Sequence, residues 1–111
     1  MNSLAKIQKQ MPEGKVYIII KDNIKFIRRT DLEFSFTGLE TCFVELPRTK
    51  QKAVIIGCIY RHPHNDRESF LQIMRQKLEY LNNQGFEAYI AGDININFFS
   101  YNTDVDRLLI I

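Results

Sequence analysis

The apolar positions of the chain fall into runs of different period. Val16 to Ile20 and Ala53 to Tyr60 are apolar at nearly every step. Successive side chains of a strand point to opposite faces, so an unbroken apolar run marks a strand covered on both sides. The second run places Val54, Ile56, Cys58 and Tyr60 on one face and Ala53, Ile55, Gly57 and Ile59 on the other. It is expected to be the central strand. Thr41 to Leu46 is a further strand, stopped by Pro47, and the polar turn 48–52 predicts that it pairs antiparallel with 53–60. Ile24 to Arg28 alternates less cleanly, and its charges suggest an edge. Asp22-Asn23 ahead of it suits a tight hairpin turn, and 30–39 reads as a loop.

One segment has the helical period instead. Phe70, Leu71, Met74, Leu78 and Leu81 recur at three- and four-residue spacing and form one stripe. Asn65 is the expected cap, with Glu68 three positions on as in a capping box. Gly85 is the expected left-handed terminator. Phe86 to Ala91 then returns as a strand. Strand, helix and strand over 53–91 form a βαβ unit, which pairs its strands in parallel through a right-handed crossover. The fold class is therefore α/β (α+β) with a mixed sheet. Residues 1–13 read as a poorly ordered lead-in, where Leu4, Ile7 and Met11 have the spacing of a short helix. The domain occupies 14–111. Thr103 can cap a last helix carrying Val105, Leu108 and Leu109, and the apolar end at Ile111 reads as a cut within something longer.

A chain of 111 residues holds at most one domain. Its 45% apolar and 25% charged content is that of a globular protein. The net charge of +2 is too small to argue for a nucleic-acid partner, but it is uneven. Residues 1–29 hold seven Lys and Arg against Glu13 and Asp22, whereas 92–111 hold Asp93, Asp104 and Asp106 against Arg107. A basic start and an acidic end fit contact with phosphates and a bound cation, and a merely solvated basic terminus fits residues 1–15 as well. Cys42 and Cys58 sit in strand-like runs with no CxxC and read as small buried hydrophobes of a reducing compartment. No run is long enough to span a membrane, and no signal core is present, so an intracellular, nuclear or cytoplasmic, location is expected.

The candidate chemistry lies in Gly92-Asp93-Ile94-Asn95. A carboxylate and an amide two residues apart leave a strand end on the same side. The carboxylate can hold a hard cation or take a proton from water, and the amide can orient that water. The same tetrapeptide is also a common turn. Topology adds weight to the chemical reading. Parallel strands end on one side of the sheet, and α/β sheets bind ligands in the crevice there. Tyr60, Arg61, His62, Asp93 and Asn95 should therefore converge on one rim. His62 and His64 could form a metal pair, against the plainer reading of exposed loop histidines.

Gly57-Cys-Ile-Tyr-Arg-His-Pro63, a helix, and Ile90-Ala-Gly-Asp-Ile-Asn-Ile-Asn97 together resemble the endonuclease/exonuclease/phosphatase superfamily. They are most similar to the endonuclease domain of non-LTR retrotransposons, which precedes a reverse transcriptase. The 17–26 run and the Glu40–Leu46 strand fit that subgroup in the same order. The resemblance implies a four-layer α/β sandwich, present here in part. It implies a Mg²⁺ (or Mn²⁺)-dependent phosphodiesterase that nicks DNA by in-line attack of water. It assigns Asp93 to the water and, as the remaining metal carboxylate, to the cation. It assigns Asn95 to the water and the phosphoryl group, and Tyr60 to the phosphate through its hydroxyl. Arg61 adds positive charge there.

The family's metal glutamate belongs upstream of the strand at 16–21, and its terminal Ser-Asp-His segment beyond Ile111. Glu40 comes too late in the order to be that glutamate. The chain alone is therefore expected to be inactive or nearly so, and its uncovered sheet surfaces to favour self-association. Three other readings stay open: a phosphatase of the same superfamily acting on lipid or inositol phosphates, a non-catalytic nucleic-acid-binding remnant, and a chain with no stable fold.

Overall fold

The computed structural model describes residues 16–34 and 36–95, and the backbone of 4–8. Two sheets are present. Strands β1 (Leu4–Gln8) and β2 (Tyr17–Lys21) pair antiparallel. Strands β3 (Ile27–Arg28), β4 (Leu39–Leu46), β5 (Val54–Arg61) and β6 (Glu87–Asp93) form a four-stranded sheet in that spatial order. The first three run antiparallel to their neighbours, while β5 and β6 are parallel, joined through helix α1 (Arg67–Asn83). The fold is α+β, with one helix and a mixed four-stranded sheet among the described residues.

The two-sided apolar pattern of 53–60 is explained by what covers each face. On one face Leu39 and Ile59 pack against Phe70, Leu71, Met74 and Leu78 of α1. Farther along that face Phe43 and Ile55 meet Leu81 and Leu32. On the other face Cys42 and Val44 pack against Val16 and Ile20, with Ile56, Cys58 and Tyr60 partly buried beside them. β5 is thus the interior strand between α1 and β2. Gly57 is required at its centre: the Phe43 ring crosses above it, and an added Cβ would lie 2.5 Å from Phe43 Cε1. Each large side chain in the α1 stripe contributes about 1.5–3 kcal/mol by leaving water.

The ends of α1 follow the expected chemistry, with one shift. The cap is Asp66, not Asn65: its carboxylate accepts from the Ser69 N–H at 3.3 Å and from the Ser69 hydroxyl at 2.5 Å. A carboxylate also suits the positive end of the helix dipole, which the neutral Asn65 cannot exploit. Those two bonds hold the exposed Asp66 carboxyl below the usual carboxylate range. Gly85 ends the helix at φ +78° with its N–H on Asn82 O.

Three expectations are corrected. Leu4–Gln8 is a strand, not a helix; pairing with the β-branched run 17–21 outweighs the weak 3.6-residue spacing. Asp22-Asn23 does make a turn, closed by Ile24 N–H to Lys21 O at 3.0 Å, but not a hairpin. β2 and β3 lie in different sheets, and neither turn residue has a positive φ. The 30–39 loop contains a 3-10 turn at Thr30–Leu32 and is fixed to β4 by Thr41, whose hydroxyl bonds both the N–H and the carbonyl of Phe34. Arg29 ties the same region down by bridging Asp31 at 2.8 Å and Glu45 at 2.7 Å. The last-helix expectation at 103–111 lies outside the described residues.

Phe70 is 1% exposed and anchors α1 to the sheet. Phe70→Ala is expected to cost about 3–5 kcal/mol, a large part of a small domain's stability, whereas Asp66→Ala should cost about 1 kcal/mol. Urea unfolding followed by circular dichroism distinguishes the two.

Candidate functional site

The carboxyl ends of β5 and β6 meet as parallel strands must. Tyr60 pairs with Asp93, and across β4 Tyr60 pairs with Glu40. Directly paired residues share a face of the sheet, so Glu40, Tyr60 and Asp93 form one row across three strands. The row lies on the face that carries Cys42 and Cys58, opposite α1. Glu40 is 2% exposed, Tyr60 half-buried and Asp93 exposed. Chain order had set Glu40 apart from the site, and register brings it in. The signal was available: a hairpin folded at Lys50 puts residue 40 opposite residue 60.

Asp93 is the last residue of β6 rather than a turn residue beyond it. Gly92 does not reverse the chain; it permits a close approach. Its φ is +140°, and an added Cβ would lie 1.9 Å from the Ile59 carbonyl oxygen. The turn comes at Asn95, which has φ +51°. Asn95 therefore does not continue the alternation that would put its amide beside the Asp93 carboxylate. Its Nδ2 donates to the main-chain oxygen of Arg61. A role for that amide as a donor to phosphate requires this bond to open.

Arg61 is the other half of the same bracket. It is 3% exposed and, by alternation along β5, shares the α1 face with Ile55 and Ile59. Its Nη1 donates to Ile94 O at 3.1 Å and Asn95 O at 3.3 Å, and its Nη2 to Asn65 O at 2.6 Å. The guanidinium carbon lies 5.6 Å from the centre of the Phe70 ring. The resemblance implies a phosphate contact here. Arg61 instead holds main-chain carbonyls of the two loops that frame the rim, on the face away from Tyr60 and Asp93. Side-chain parity carried this information in the sequence.

His62 and His64 stand with ring centres 5.1 Å apart, and the His64 N–H donates to His62 Nδ1 at 3.1 Å. Among the described residues, no three His, Cys, Asp or Glu side chains are grouped to hold a metal. A groove of about 530 Å³ lies along Phe36, Thr37, Asn65, Ser69, Phe70 and Ile73, on the α1 side of the rim. Of the basic N-terminal residues described, Arg28 is paired with Glu33 at 3.0 Å and Arg29 with Asp31 and Glu45, and Lys21 and Lys25 are exposed.

A hydrogen bond from a charged donor is worth about 1.5–3 kcal/mol, and Arg61 makes three to carbonyls. Arg61→Met is expected to lose at least about 3 kcal/mol, allowing for non-additivity, and with it the fixed geometry of the 94–95 turn, read from the chemical shifts of its residues. Arg61→Lys should not restore it, since an ammonium cannot present the planar fork. Compared with family models, with curated proteins and with solved structures, the chain matches none.

Proposed function

We propose that this chain is the central part of a phosphodiesterase of the endonuclease/exonuclease/phosphatase kind, most like the DNA-nicking domain of a non-LTR retrotransposon. In this reading the layers α1, four-stranded sheet and β1–β2 belong to a larger four-layer sandwich. The observation that carries it is the row Glu40, Tyr60, Asp93 at the carboxyl ends of a parallel pair. That is where α/β sheets bind ligands.

The chemistry of the row suits phosphate hydrolysis. The Asp93 carboxylate is exposed and can accept a proton from an attacking water or orient it. The Tyr60 hydroxyl can donate to a phosphoryl oxygen. Asn95, at the turn, can steady the water through its amide once the bond to Arg61 O exchanges. Glu40 supplies a second carboxylate on the same face. An exposed carboxylate fits Mg²⁺ or Mn²⁺, which typically takes one or two carboxylates and completes its shell with water and substrate phosphate. Asp93 would hold that ion, which would supply positive charge to the phosphate, while Glu40 stays buried two strands away in the same row. Arg61 acts here as a positioning residue that holds the 94–95 turn.

DNA is the proposed partner, by resemblance, with Lys21 and Lys25 among the exposed cations of the described residues. No described helix is long and apolar enough to cross a membrane.

The test uses the paramagnetism of Mn²⁺. Titration into the full chain is expected to broaden amide resonances around 40, 60 and 93, and Asp93→Asn should abolish this while leaving the rest of the spectrum intact. Supercoiled plasmid should remain un-nicked by the chain alone. Broadening elsewhere, or none, sinks the metal assignment. Hydrolysis of a phosphoinositide without action on DNA would move the reading to a phosphatase. DNA binding that needs no metal and weakens steeply with salt would move it to a binding module.

A further inference from the structure

Cys42 and Cys58 are directly opposite each other across the β4–β5 pair, and both are thiols. The main chain sets the distance between them. The Arg29 N–H donates to the Phe43 carbonyl at 2.9 Å, so Phe43 directs its peptide groups at β3. Those groups alternate along an antiparallel strand, so Cys42 directs its own at β5. The bond from His62 N–H to Gly38 O, at 2.7 Å, falls on the same alternation. Cys42 and Cys58 therefore form a hydrogen-bonded pair, whose Cα atoms lie about 5.5 Å apart. Disulfides span Cα separations of about 4.4–6.8 Å. Closing one here requires the Cβ atoms to approach by about 1.7 Å, from about 5.5 Å at a hydrogen-bonded pair to about 3.8 Å in a cystine, so the two strands must draw together locally.

The two thiols differ in access. Cys42 is 0% exposed, whereas Cys58 is only partly buried at the margin of the cluster formed by Val16, Ile20 and Val44. The Cys58 sulfur can meet a reagent from solvent, and the Cys42 sulfur is shielded from it, on the face where Arg28 acts electrostatically with it.

We propose that Cys42 and Cys58 are a reversible thiol–disulfide switch, closed by exchange with a small disulfide such as oxidised glutathione. Cys58 gives its proton to solvent, and its sulfur attacks one sulfur of the glutathione disulfide. That S–S bond breaks, and one glutathione leaves as a thiolate and takes up a proton. Cys42 then loses its proton and attacks the Cys58 sulfur, expelling the second glutathione, which is protonated in turn. Two protein thiols are oxidised to one disulfide, and one glutathione disulfide is reduced to two thiols. Burial pushes the Cys58 thiol up from its ordinary range, so the first step draws on a small thiolate fraction near neutrality. The closed bond would sit two positions from Glu40 and Tyr60 on the same face and lock the register that makes their row. The switch itself does not depend on the phosphodiesterase reading.

The full chain is incubated with oxidised glutathione over a pH series, quenched in acid, and read by intact mass and by alkylation. The expected product is lighter by two hydrogens, carries no adduct, protects both cysteines from alkylation, and reverts with dithiothreitol. Its rate should rise about tenfold per pH unit while the thiol is mostly protonated. Cys42→Ser should stop at a stable glutathione adduct on Cys58, and Cys58→Ser should stay unmodified. Cys42→Ala runs beside Cys42→Ser in case the hydroxyl is not tolerated in the core, and the wild-type mass stands apart from both. A wild-type chain that keeps the adduct, links to a second chain, or leaves both thiols open to alkylation overturns the proposal.

Discussion

Everything in this fold depends on covering β5 twice. The strand has neighbours on both edges and apolar side chains on both faces, so each face needs a covering. α1 satisfies one face and β2 with Val16 satisfies the other. The Phe43 ring fills the space above Gly57, and the pair β4–β5 thereby becomes a rigid plate on which the remaining elements rest. The placement of Tyr60 follows from this. It emerges at the end of the most constrained strand in the molecule, next to the strand that delivers Asp93.

The rim is held by main-chain contacts more than by side-chain pairs. Arg61 gathers carbonyls from both sides of the βαβ unit, and Asn95 returns a bond to Arg61 itself. A buried guanidinium is tolerable because polarised oxygens take the place of water around it. Gly92 completes the arrangement by letting β6 come against the Ile59 carbonyl. Three residues that look like catalytic furniture in a motif thus divide into two kinds. Tyr60 and Asp93 lie on one face of the sheet, and Arg61 braces the turn from the other.

How much of this was legible in the sequence varies with the range of the interaction involved. The α1 stripe, the two-sided β5 and the parallel β5–β6 pair are written in local periodicity, and the structure has them as expected. The cap moved by one residue because Asn65 and Asp66 are both competent, and charge against the helix dipole decides between them. β1 was illegible, since its strand character comes from pairing with β2 rather than from its own pattern. The Asp22-Asn23 turn was visible, but not the fact that the chain changes sheets there. Glu40 and Arg61 were recoverable from register and parity; chain order set Glu40 aside, and the resemblance put Arg61 on the phosphate.

The hairpin symmetry about Lys50 also bears on how the chain reaches this state. β4 and β5 are joined by the shortest link between any two paired strands of the four-stranded sheet, so their association carries the smallest loop-closure entropy there. The β5–β6 pairing must wait for a helix to span the gap. The register that sets Cys42 opposite Cys58 is therefore the least costly in chain entropy within that sheet. The Glu40–Tyr60 part of the row belongs to that same pairing, and Asp93 completes it only with the longer crossover, so the candidate site joins one short-range and one long-range register.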